Sequence, residues 1–280
     1  MFTANYIQPL KVRNTLLDGL FYDVGNLSDS ERRYLTEQTS LEGSILLVTP
    51  DGPEQGVTKF DDAARLREAP GDKLSHFAVA GVGSSDLGAA SLGRTLANHL
   101  REPVGVIVSG YGMADLFQEA LGGWFFFGAI ERQISCDQGQ LSAFSEFWKQ
   151  VAKDQMKSPD TQTLIELLTE EGRTVRTLLG HSKGCLSIAY ALRNIASSGD
   201  EAAWSRAKDI ELTTVGAVVN LPDGMSNTTQ LIGSFDWFGG MNSALDQPHI
   251  KVPKAGHHLN TQWLMSLDLA KSLKKQNIQS

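Results

Sequence analysis

A chain of 280 residues is long enough to bury a sizeable core within one large α/β domain. Its formal charge of −7 and pI of about 5.4 argue against a primary role on nucleic acid or anionic membranes, which need clustered Lys and Arg. Its two cysteines, Cys136 and Cys185, lie far apart and outside any metal-ligand spacing. The first residues, MFTANYIQPLKVRNTLLDGL, lack the unbroken apolar core of a secretory signal. The longest apolar run, Trp124 to Ile130, is far short of the roughly 20 residues that span a bilayer. A cytoplasmic protein without an integral membrane segment is expected.

In chain order, short apolar runs alternate with longer helical patterns. Strands are predicted at 43–50, 76–82, 104–110, 174–180, 212–220, 229–234 and 249–255. From Phe77 onward these runs are mostly apolar at both alternate positions, as in strands buried on both faces of a parallel sheet. Residues 51–75 are polar and turn-rich, and read as a surface excursion. Helices are predicted at 91–102, 114–124, 142–155, 161–172, 185–196 and 260–276. In the fifth, Cys185, Ile188, Leu192 and Ile195 fall on one stripe at helical spacing. The stretch 121–142 fits neither pattern, and an inserted cap over a site is expected near 121–160. Strand–helix alternation implies right-handed crossovers and a three-layer α/β fold, with a mostly parallel sheet and helices on both faces. A single domain covering 1–280 follows.

At Gly180–Gly184 the sequence GHSKG falls where a strand pattern meets a helix pattern. Ser182 is the only serine with glycine two before and two after it. In a nucleophile elbow those glycines remove side chains that would strike the neighbouring strand and helix. The competing reading is a tight turn with a solvated serine. A serine hydroxyl attacks only when a base takes its proton, and the base must be oriented by a carboxylate. Of six histidines, His76 and His99 precede the elbow, and His181 points the wrong way in such a turn. His257 in KAGHHLNT follows the last predicted strand and Gly256, and is the first choice, with His258 the alternative. Asp236 in IGSFDWFGG lies just past a buried strand, between aromatic residues that would shield it; Asp223 is the alternative, and Asp246 lies in a connecting loop.

The order Ser182, Asp236, His257, with GHSKG between strand and helix, resembles the α/β-hydrolase superfamily of lipases, esterases and thioesterases over about residues 75–275. The resemblance implies an oxyanion hole made by the backbone N–H of Lys183 and that of Val82, in the loop AGVGSS. Many members carry His-Gly-x-Gly there, and Ala80 replaces the histidine. The Lys183 side chain reads as a solvated cation near the site mouth. The Trp124–Phe127 aromatic run reads as core packing or the lining of an acyl cleft. The implied activity is hydrolysis of a carboxylic ester or thioester, lipid-like substrates included, through an acyl-serine intermediate, without metal or cofactor. An acyltransferase using the same residues and a non-catalytic binding protein of this fold are the alternatives. A dinucleotide-binding reading of AVAGVGSSDLG is weaker, because Asp86 stands at the third glycine position.

Overall fold

Among the described residues eight short strands, seven of them on apolar runs of the sequence, join one sheet. They are β1 (Ile45–Val48), β2 (Val57–Phe60), β3 (His76–Val79), β4 (Val104–Ile107), β5 (Thr177–His181), β6 (Glu211–Val215), β7 (Thr228–Gly233) and β8 (Ile250–Val252). The computed structural model describes residues 18–69, 73–81, 84–109 and 157–276. Strand order is β2-β1-β4-β3-β5-β6-β7-β8. β1 runs antiparallel to both β2 and β4, and the remaining neighbours pair in parallel.

The sheet buries both faces because its strand residues alternate between two cores. Phe77, Val79, Ile107, Leu178 and Leu212 pack on one side with α2 (Ala63–Arg67), α4 (Pro159–Thr169), α5 (Lys183–Ser197) and α6 (Glu201–Ala207). Ala78, Val106, Leu179, Val215 and Leu231 pack on the other with α1 (Asp29–Glu37), α3 (Asp86–Leu100) and α8 (Leu269–Lys275). A short α7 (Trp237–Met241) follows β7. The stripe Cys185, Ile188, Leu192 and Ile195 of α5 is fully buried, each large apolar side chain there contributing on the order of 2 kcal/mol.

Seven of the strands coincide with the predicted runs, three of them (β5, β6 and β7) reaching one residue beyond the expected bounds. The eighth, β2, together with α2, lies in the stretch 51–75 that reads as a mere surface excursion. β2 is an edge strand whose VTKF residues are half-buried or exposed, so it carries little of the apolar signal of the central strands. The helix expected over 260–276 begins only at Leu269, where the Asp268 side chain accepts the Lys271 N–H as an N-cap. Before it, Met265 takes a positive φ of 60°, and Trp263, Leu264 and Met265 are exposed. The helices expected at 114–124 and 142–155, the Trp124–Phe127 run, Cys136 and most of the expected cap lie outside the described residues. No helix among the described residues is long and apolar enough to cross a membrane.

Candidate active site

One residue separates β5 from α5, and it is Ser182. Turning a strand into a helix within one residue forces Ser182 to φ 54° and ψ −119°, a conformation whose cost is on the order of 1–3 kcal/mol. The flanking glycines make the turn possible. A Cβ on Gly180 would lie 2.9 Å from the Cys185 backbone nitrogen, and one on Gly184 would lie 2.8 Å from the Ala80 carbonyl oxygen. The backbone is pinned as well: Ser182 N–H donates to the Val215 carbonyl at 2.8 Å, continuing the β5–β6 pairing. Ser182 holds the N-cap position of α5, yet its hydroxyl makes no capping hydrogen bond. The Oγ instead lies 2.9 Å from Nε2 of His257.

His257 follows β8 and Gly256, in a loop that returns over the carboxyl ends of the strands. Its Nδ1 lies 2.8 Å from Oδ2 of Asp236. The other Asp236 oxygen accepts the Gly239 N–H at 2.6 Å, so this carboxylate caps α7 and faces the imidazole at once. Its side chain is fully buried. Phe235 and Trp237, expected to shield it, are exposed; of the three aromatics only Phe238 reaches the site, edge-on to His257 with ring centroids 4.9 Å apart. Phe21 also stands edge-on to His257, with ring centroids 6.0 Å apart, and the backbone of Gly216, at φ +74°, comes so near that an added Cβ would sit 3.1 Å from His257 Cε1.

His181 turns away from Ser182 into a buried polar network. Its Nδ1 is 2.8 Å from the Tyr22 hydroxyl, and its Nε2 is 3.2 Å from the His257 carbonyl oxygen. The Tyr22 hydroxyl also accepts the Gly81 N–H at 2.9 Å and the Ser84 hydroxyl proton at 3.0 Å. Burial, aided by the nearby His257, pushes His181 down to about 3, so its ring is neutral.

Lys183 opens α5, which places its backbone N–H in the first turn beside Ser182. Its side chain is not the solvated cation expected. The ammonium is buried, 2.9 Å from Oε1 of Glu42 and 3.5 Å from Oδ2 of Asp160. Burial alone would raise the Asp160 carboxyl, but the Lys183 charge and the hydroxyls of Ser158, Ser187 and Ser109 hold it below its usual range. Val82, the other expected oxyanion donor, lies outside the described residues.

The alternative residues are not brought to Ser182. His258 Nε2 lies 3.0 Å from the Leu264 carbonyl oxygen, while Asp223 and Asp246 are exposed. The N-terminus of α3, where a dinucleotide phosphate would sit, is occupied by the Asp18 carboxylate, which accepts from the Ser85 N–H at 3.2 Å and from the Ser85 hydroxyl. Tyr22, Asp18, Gly216, Glu42 and Asp160 are the residues around the site that sequence reasoning missed. Among the described residues, no group of three or more His, Cys, Asp or Glu side chains is placed to hold a metal ion. The chain matches no protein-family model, no curated protein and no solved structure.

Proposed function

We propose that the chain is a serine hydrolase of the α/β-hydrolase fold, cleaving a carboxylic ester or thioester through an acyl-Ser182 intermediate. The observation that carries the reading is the unbroken line Ser182 Oγ, His257 Nε2, His257 Nδ1, Asp236 Oδ2, with both hydrogen-bond distances under 3 Å and the serine at a strained strand–helix turn. Hydrogen-bond reach between nucleophile, base and orienting carboxylate is the geometry such chemistry requires.

The steps follow from this arrangement. Ser182 Oγ bonds to the substrate carbonyl carbon while its proton passes to His257 Nε2, and Asp236 stabilises the imidazolium by accepting Nδ1–H. Negative charge grows on the former carbonyl oxygen, and the Lys183 N–H, with the dipole of the 15-residue α5 behind it, is placed to receive it. Collapse breaks the bond to the alkoxide or thiolate leaving group, which takes the proton from His257. A water molecule then attacks the acyl carbon, again giving its proton to His257, and release of the carboxylic acid returns that proton to Ser182.

A fluorophosphonate probe tests this directly. Wild type should label at Ser182, Ser182→Ala should not, and wild type should turn over nitrophenyl esters or acyl thioesters of some chain length. No labelling of folded wild type, with no turnover across a graded series of both substrate types, would sink the reading.

A further inference from the structure

Tyr22 and His181 are buried against the Ser182–His257 pair, and the proton path above uses neither. Their hydrogen bonds have a direction that follows from counting protons. The Tyr22 oxygen receives two, from the Gly81 N–H and the Ser84 hydroxyl, which fills its accepting capacity. Its own proton therefore goes to His181 Nδ1 at 2.8 Å. With Nδ1 accepting, the neutral imidazole carries its proton on Nε2, which donates to the His257 carbonyl at 3.2 Å. The other tautomer would aim Nδ1–H at an oxygen already accepting twice and set the bare Nε2 lone pair against a carbonyl oxygen. Burial keeps both rings neutral, holding His181 well below and the Tyr22 phenol above their usual ranges.

This directed chain joins two loops that the sheet does not join. Gly81 follows β3 and His257 follows β8, and β5, β6 and β7 lie between those strands. The fit at the glycine end is tight: a Cβ on Gly81 would sit 3.0 Å from the Tyr22 oxygen, 3.2 Å from His181 Nδ1 and 3.3 Å from Ser182 Cβ. At the other end the imidazole of His257 is held by Asp236 and its backbone by His181, two anchors on one residue.

We propose that Tyr22 and His181 are positioning residues for acyl transfer at Ser182. The chain from the Gly81 N–H through the Tyr22 hydroxyl and the His181 imidazole to the His257 carbonyl keeps the base loop and the loop after β3 in one register around the serine. This role rests on the serine-hydrolase reading. Losing one anchor lets the imidazole drift from Ser182 Oγ, and a misplacement of about 1 Å costs on the order of 100-fold in rate.

The test compares wild type, Tyr22→Phe, His181→Leu and the double variant on a nitrophenyl ester that wild type turns over, with fluorophosphonate titration to count competent sites. In each single variant kcat per titrated site should fall about 10- to 100-fold while KM changes far less. The double variant should be no slower than the poorer single one, because either change breaks the same chain. A merely structural role would lower the Tm and the titrated fraction but leave kcat per site at the wild-type value, and that result overturns the proposal. Losses that multiply in the double variant also overturn it. Should the variants not fold, nitrogen-15 NMR of wild type decides: His181 must be protonated at Nε2 and bare at Nδ1, and the reverse tautomer overturns the chain. Inert wild type would remove the hydrolase reading and this role together, whereas active wild type with unaffected variants removes this role alone.

Discussion

Asp18 links protonation to stability near neutral pH. It is buried at the N-terminus of α3, and burial pushes its carboxyl from the ordinary 3.8 up to about 7, against the lowering effect of hydrogen bonds from Ser85 and Gly88. The folded state thus keeps a proton that the unfolded chain releases. Stability from this residue is fully present below about pH 4, declines as pH rises, and is lost above about pH 7. A shift of roughly 3 units at 1.36 kcal/mol each gives on the order of 4 kcal/mol across that window. Asp18→Asn keeps an oxygen for the Ser85 donors but cannot ionise. Urea unfolding of both proteins from about pH 4 to about pH 8 gives the difference in unfolding free energy at each pH. That difference should move by on the order of 4 kcal/mol in favour of the variant as pH rises. A difference that stays flat would show that the helix N-terminus stabilises the carboxylate as well as burial penalises it, and the reasoning would be wrong.

Two further outcomes follow from the site itself. In Asp236→Asn, the Gly239 N–H will hold the amide oxygen, which turns the amide nitrogen toward His257 Nδ1 and forces the imidazole proton onto Nε2. Turnover should fall on the order of 10⁴-fold at neutral pH with little change in Tm, and a loss under about tenfold on a steady-state ester assay would contradict the assigned role. Gly216→Ala must place a side chain at φ +74° and 3.1 Å from the His257 ring, so stability should drop by about 1–2 kcal/mol and kcat by about tenfold or more; thermal melts and ester kinetics check both.

The parts of the fold that were legible in the sequence are those set by local pattern. The strands from β3 to β7 announce themselves as short continuous apolar runs because both their faces are buried. Ser182 is marked by its flanking glycines at a strand–helix junction, and Asp236 and His257 by following strands, which brings all three to the same end of a parallel sheet; the aromatic flanks of Asp236 are a poorer guide, because Phe235 and Trp237 are exposed. What stayed illegible depends on pairing across long separations. Lys183 reads as solvated because an isolated lysine is almost never buried, yet Glu42, 141 positions earlier, neutralises it. Tyr22 lies 159 positions before His181, in a segment with no strand pattern to mark it. β2 was missed for a different reason: an edge strand is permitted to be polar, so it lacks the run that marks its neighbours.

The departure at Ala80 now has a physical counterpart elsewhere in the chain. Where the resemblance leads one to expect a histidine supporting the glycine loop from within, this chain supports it from outside. Tyr22 supplies the acceptor for the Gly81 N–H, and the Ser109 hydroxyl lies 2.8 Å from the Ala80 carbonyl oxygen and 3.0 Å from an Asp160 oxygen, its one proton shared between the two acceptors. Asp160 in turn faces the Lys183 ammonium, so the residue after the serine and the loop after β3 share one buried carboxylate. The same loop is therefore tied to the His257 loop through Tyr22 and His181, and to the Ser182 turn through Ser109 and Asp160. The Tyr22, His181, Ser109 and Asp160 side chains that make these ties are buried, so breaking one leaves an unsatisfied donor or charge in the interior. That penalty is what lets hydrogen bonds, each modest in net stability, fix the relative positions of loops that no sheet ladder connects.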